Sequence, residues 1–243
     1  MANVSTSFPI TGLPVSGLPS AVLVVGDPAR AEKVASRLTA GKPIAANREY
    51  HSFSGTWNGS AVVVVSHGVG SAGAGACFSE VIKAGATRII RAGTCGGLQA
   101  SVTDGDLVIA TGAVRGDGYS RGVAPLEYPA VAHPAVTARL FSAVPSAHLG
   151  IVLTSDVFYP SEVLGSNLPL WQRANCVAVE MECAALFVAA SLASVEAGAI
   201  LAVDGNPLAT SDESMEGYDP HRSVVVDAVD TMIEAALTAL TQP

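Results

Sequence analysis

Two short segments pair an arginine with glycine-rich backbone, which is how a protein commonly holds an anion. The apolar run Val22-Leu23-Val24-Val25 ends at Gly26 and is followed by Asp27, Pro28, Ala29 and Arg30. A buried strand that turns at Gly26 into a helix places Asp27 at the cap and Pro28 in the first turn. Backbone N–H groups and the helix dipole then converge on one point, and Arg30 adds charge and a planar fork of donors. In the second segment, Arg91-Ala92-Gly93-Thr94-Cys95-Gly96-Gly97, Arg91 stands at a strand end before a glycine-rich turn, and Thr94 offers a hydroxyl to an oxyanion. Each segment alone also reads as a glycine turn beside a solvated arginine. Together they describe one pocket with two guanidinium groups for one dianion.

Other residues fit a site of this kind less specifically. Glu180-Met181-Glu182 precedes an apolar stretch. Residues two apart on a helix point in different directions, so at most one of the two carboxylates is expected to face a site, where it could accept from sugar hydroxyls. A carboxylate at a helix start is also ordinary dipole chemistry. Asp204 follows an apolar strand and precedes Gly205. Asp-Gly is common turn chemistry, yet the carboxyl end of a buried strand is where a general acid with a raised pKa would sit. Phe158 and Tyr159 read as core aromatics or as a stacking face for a flat ligand. Arg48 reads as a surface charge paired with Glu49, and the residues alone do not select it.

Strands are expected at 21–25, 61–66, 87–91, 107–111, 150–155 and 199–203, several as continuous apolar runs. Helical patterns fall at 28–38, 72–84, 133–143, 182–193 and 223–240. Strands alternating with helices imply an α/β sandwich on a largely parallel sheet, with ligands beyond the carboxyl ends of strands. Two regions read as looser: 115–129, without clear periodicity, and 208–222, acidic and polar, as a surface loop or lid. No internal repeat or linker divides the chain, so 1–243 is expected to be one domain.

Composition limits the partners. The 243 residues carry a formal charge of -8, with three lysines and ten arginines. Such a chain lacks the basic face that nucleic acid or an anionic membrane requires. The four cysteines show no CxxC spacing, residues 1–19 do not read as a signal peptide, and no apolar run is long enough to span a bilayer. A cytoplasmic protein is expected. Hydrophobic residues reach 49% and charged residues only 14%, which points to surface buried in a homo-oligomer.

The chain resembles the hexameric branch of the nucleoside phosphorylase family, which includes purine nucleoside phosphorylases and uridine phosphorylases. The likeness is greatest to the apicomplexan purine nucleoside phosphorylases. It rests on VVGDPAR (24–30), NREYHS (47–52), SHGVGSAG (66–73), IIRAGTCGGLQ (89–99), SDVFYP (155–160), VEMECA (179–184) and VDGNP (203–207), which run in order along nearly the whole chain. The fold implied is a three-layer α/β/α sandwich around a mixed, partly barrel-like sheet, assembled as a hexamer built as a trimer of dimers. The activity implied is phosphorolysis of a nucleoside by orthophosphate, with no metal, no organic cofactor and no covalent enzyme intermediate. By this resemblance Gly26, Arg30, Arg91 and Thr94 hold phosphate, and Arg48 reaches across the dimer interface into the neighbouring site. Met181 and Glu182 hold the ribose, Val69 and Phe158 flank the base, and Asp204 meets the purine N7.

Three departures bear on substrate. Relatives carry a His near the N-terminus that meets the neighbour's ribose 5′-hydroxyl, whereas residues 5–10 contain none. An apolar Phe8 or Ile10 there would favour 5′-deoxy or 5′-methylthio sugars. The Trp that follows the VDG-x-P motif in apicomplexan relatives is replaced by Leu208-Ala209-Thr210-Ser211. Ser161-Glu162-Val163-Leu164 offers no counterpart of the Gln and Arg that uridine phosphorylases place on uracil, so purines are favoured. The alternatives left open are a uridine or 5′-methylthio-nucleoside phosphorylase, and a nucleosidase or nucleoside-binding protein on the same fold.

Overall fold

The computed structural model of the chain describes residues 6–208 and 222–242. Strand β1 (Ala21–Val25) lies between two parallel neighbours, β4 (Ser60–Ser66) and β5 (Arg88–Gly97). Its alternate residues enter two separate cores. Val22 and Val24 pack with helices α2 (Ser71–Lys83) and α6 (Cys183–Leu192), while Leu23 and Val25 pack with α1 (Pro28–Arg37), α4 (Pro134–Ala143) and α7 (Ser223–Thr241). A strand covered on both faces must be apolar at every position, which explains the uninterrupted run. Burying each such side chain contributes about 1.5–3 kcal/mol. The result is a three-layer α/β/α sandwich.

Among the described residues the sheet has ten strands. From β1 it continues through β4 to the antiparallel hairpin β3 (Tyr50–Trp57) and β2 (Thr39–Asn47) at one edge. On the other side of β1, five strands close on themselves. These are β5, β10 (Glu196–Gly205), β6 (Leu107–Gly116), β8 (His148–Ser155) and β9 (Ala178–Glu180), with β9 returning to β5. A further short strand, β7 (Ala130–Val131), pairs with β6. Two short helices among the described residues are α3 (Gly118–Val123) and α5 (Leu168–Arg173). Among the described residues no helix is long and apolar enough to cross a membrane.

Several sequence expectations change here. The sheet is mixed, as the family resemblance implied, where strand–helix alternation alone had implied a largely parallel one: β10–β6, β5–β9, β6–β7 and the β2–β3–β4 meander are antiparallel. The expected strand at 87–91 runs on through Gly97, because β10 and β9 pair with Gly93–Gly97 and turn a glycine-rich segment into ladder. The stretch 115–129 is not loose: it contains the end of β6 and helix α3, capped by Asp117, whose carboxylate accepts from the Ser120 amide at 2.6 Å. The hairpin β2–β3 had no counterpart among the expected strands. The loop expected at 208–222 falls, apart from its two ends, outside the described residues.

Candidate active site

The strand-to-helix turn forms as its residue types demand. Asp27 caps α1, accepting from the Ala29 amide at 2.9 Å, and Pro28 occupies the first turn. Gly26 and Arg30 both line a cavity of about 1070 Å³. Arg91, Thr94, Val69, Phe158, Met181, Glu182 and Asp204 line the same cavity. Nine of the ten residues implied by the resemblance therefore surround one space. The tenth, Arg48, stands exposed at the tip of the β2–β3 hairpin with φ 53°, off this wall. Among the described residues no salt bridge joins it to Glu49. Glu49 instead lines the cavity, with its side chain over Gly68. Gly68 has φ +73°, and a Cβ there would lie 2.8 Å from Glu49 Cγ, so the turn needs glycine on both counts.

The centre of the site is a buried charge cluster. Arg91 Nη2 donates to Glu182 Oε2 at 2.5 Å and to Glu180 Oε2 at 3.2 Å. Side-chain exposure across the three is at most 6%. Glu182 also accepts from the Gly70 amide at 2.6 Å, which sets its carboxylate at the N-terminus of α2. The Ser71 hydroxyl donates to Met181 O at 2.6 Å, so that helix start and the 181–182 turn hold each other. Burial works against the Arg91 charge, but Glu182 and Glu180 outweigh it and keep the guanidinium firmly protonated. Burial pushes the Glu182 carboxyl up, Arg91 opposes that, and Glu180 reinforces it.

Both carboxylates of the Glu180-Met181-Glu182 run converge on Arg91, but Glu182 alone of the two keeps any exposed side-chain surface, and the Glu180 side chain is fully covered. The run is not helical: Glu180 ends β9 and Glu182 is the cap before α6, with φ −143°. Asp204 likewise lies inside β10 rather than after it. Pairing with β5 shifts register between Val203 and Gly205, leaving Asp204 as the extra residue. A bulge of this kind re-aims a side chain. Asp204 is 6% exposed, and its carbonyl accepts from Arg222 Nη2 at 2.9 Å.

Other side chains of the lining are open. Val69 is 80% exposed, and Phe158 is 46% exposed, edge-to-face with Tyr159 at 4.9 Å. Neither aromatic is a core residue. Phe8 and Ile10 are partly buried against this chain's own core, and the Ile10 and Thr11 amides donate to the buried carboxylate of Glu80 at 3.1 and 2.7 Å. The sequence weighed Glu180 only as an alternative to Glu182, and it assigned no site role to Glu49 or His67. His67 is fully buried below the Gly26 turn, with Nδ1 2.8 Å from Gly68 O, and burial holds its pKa well below the usual imidazole value.

Such a site can hold an anion against buried guanidinium and a polyol against buried carboxylate, with an acid facing a flat group. Comparison with known proteins agrees with that chemistry. A family model described as the phosphorylase superfamily matches residues 20–241. Purine nucleoside phosphorylase of Plasmodium vivax is 39% identical over 89% of this chain and 88% of its own length. Uridine phosphorylase of Treponema pallidum is 37% identical over 91% and 93%. A crystal structure of Toxoplasma gondii purine nucleoside phosphorylase in complex with immucillin-H superposes with a TM-score of 0.93 at 31% identity, covering 99% of this chain and 97% of that one.

Proposed function

The chain belongs to the phosphorylase superfamily, and on that footing we propose that it cleaves the N-glycosidic bond of purine nucleosides with orthophosphate, giving free base and (deoxy)ribose 1-phosphate. The observation that carries this reading is the contact of Arg91 with Glu182. It puts an anion-binding cation directly beside a carboxylate suited to sugar hydroxyls, as attack of phosphate on a sugar carbon requires.

In this mechanism the Gly26 turn, Arg30, Arg91 and Thr94 hold phosphate below the anomeric carbon, and Arg48 of a neighbouring copy completes the cradle. Glu182 accepts from the 2′- and 3′-hydroxyls beside Met181, and the base lies between Val69 and Phe158. As the C1′–N9 bond breaks, the sugar becomes positive and the base keeps the electron pair. Asp204 delivers a proton to N7, which relieves the charge on the leaving base. A phosphate oxygen then forms the new bond at C1′, its approach favoured by the cationic sugar. Positioning and electrostatics supply most of the acceleration. The co-substrate is orthophosphate, and no step calls for a metal or an organic cofactor.

The same reading takes the protein as a cytoplasmic hexamer, a trimer of dimers, in nucleoside salvage. Support comes from apolar side chains left open on this single chain, among them Leu126, Val131 and Ile151. Uridine is the second substrate to consider, given the uridine phosphorylases among the relatives. Base release from inosine, guanosine, adenosine, uridine and 5′-methylthioinosine in phosphate buffer decides between them. Purine nucleosides should turn over fastest, and a clear preference for uridine would overturn the purine assignment.

A further inference from the structure

Glu180 is a heavily engaged carboxylate of the cavity wall. Its side chain has no exposed surface, and both of its oxygens accept hydrogen bonds. Oε1 accepts from the Thr154 hydroxyl at 2.5 Å. Oε2 accepts from the amides of Glu182 and Cys183 at 2.7 and 2.9 Å, and from Arg91 Nη2 and Nε at 3.2 and 3.4 Å. Thr154 is itself fixed, because its Oγ1 accepts from the Ala184 amide at 2.9 Å.

These donors come from three parts of the fold: β8, β5 and the turn that opens α6. Glu182, by contrast, accepts from Arg91 and from the single Gly70 amide. A ligand with hydroxyl groups can draw on Glu182, while the Glu180 side chain has no exposed surface to offer one. Its negative charge also compensates Arg91 at a depth where an unpaired cation would be costly.

We propose that Glu180 is the positioning residue of this site, fixing the phosphate-binding Arg91 and the ribose-binding 181–182 turn at the separation the reaction needs. The proposal rests on the phosphorolysis reading above. Glu180 touches neither substrate; it acts through Arg91 on one side and the 182 and 183 amides on the other. Both substrates therefore depend on a single carboxylate that binds neither.

Glu180→Gln tests this, because Gln is nearly isosteric and keeps an oxygen for the two amides while losing the charge that holds Arg91. Steady-state kinetics on inosine, varying phosphate and nucleoside in turn, should show KM rising for both substrates. The combined loss in kcat/KM should be roughly 100-fold, the scale of a misplacement of about 1 Å at a reacting centre, with the melting temperature close to wild type. A merely structural role would lower the melting temperature and leave both KM values unchanged. If Glu180→Gln does not fold, Thr154→Val removes the donor to Oε1 and should raise the same two constants by less. A wild-type enzyme whose base release ignores phosphate would overturn the functional reading and this proposal together. A phosphate-dependent wild type, with wild-type KM values in the folded variant, would overturn the proposal alone.

Discussion

Arg91 Nη2 lies 2.5 Å from Glu182 Oε2, so the cation assigned to phosphate and the carboxylate assigned to ribose share a hydrogen bond. The backbone reason is local. Gly93 lies beneath the guanidinium, and a Cβ built there would stand 2.2 Å from Arg91 Nη1.

Gly93→Ala should therefore displace the Arg91 guanidinium while sparing the rest of β5, since the obstacle is the far end of a flexible side chain. The phosphate KM is expected to rise at least about 10-fold, the equivalent of one charge-assisted hydrogen bond. Initial rates over a phosphate series check this. A variant with wild-type phosphate KM would show that Arg91 does not hold the anion.

The first turn of the site was legible from the chain, and its centre was not. Val22–Val25, Gly26, Asp27 and Pro28 each carry a local rule, and β1 and α1 formed where those rules put them. The continuation of β5 through Gly97 carries no such signal, because glycine is poor in strands and only closure by β9 and β10 recruits it. The β2–β3 hairpin escaped for a related reason. β2 is a mostly exposed edge strand containing Pro43 and two register shifts, so it shows no alternation. Glu180 was hidden by the brevity of β9, which is three residues long. Arg48 was singled out only by family resemblance, since a charged residue at an exposed hairpin tip reads locally as an ordinary surface charge.

Asp204 and Arg48 should complement each other across subunits. Asp204→Ala is expected to lose roughly 10²–10⁴-fold in turnover of inosine, the usual range for a general acid. Arg48→Ala should also lose activity while keeping its stability within about 0.5 kcal/mol, as an exposed substitution does. Co-refolding the two inactive variants would then restore part of the activity, because some mixed sites combine an intact Asp204 with an intact Arg48. Mixtures no more active than either variant would rule out a shared site.

His67 should make the fold sensitive to mild acid. Its folded pKa is held well below the usual value of 6.5, so the neutral ring is the native form. Below pH 6.5 the unfolded chain binds a proton that the folded chain does not. Stability is thus fully present above that pH and falls beneath it, by on the order of 1 kcal/mol between pH 7.5 and 5.5 for one such group. Urea unfolding at the two pH values measures the loss, and His67→Gln should reduce it. An unchanged pH dependence in that variant would assign the effect to other groups.

The most direct test of the account is phosphate dependence itself. Purified protein is incubated with inosine, with and without orthophosphate, while hypoxanthine is followed by absorbance and the sugar product by phosphorus NMR. The predicted result is base release that requires phosphate and is matched mole for mole by ribose 1-phosphate. Equal release in phosphate-free buffer, with free ribose as the product, would contradict it and make the protein a hydrolase.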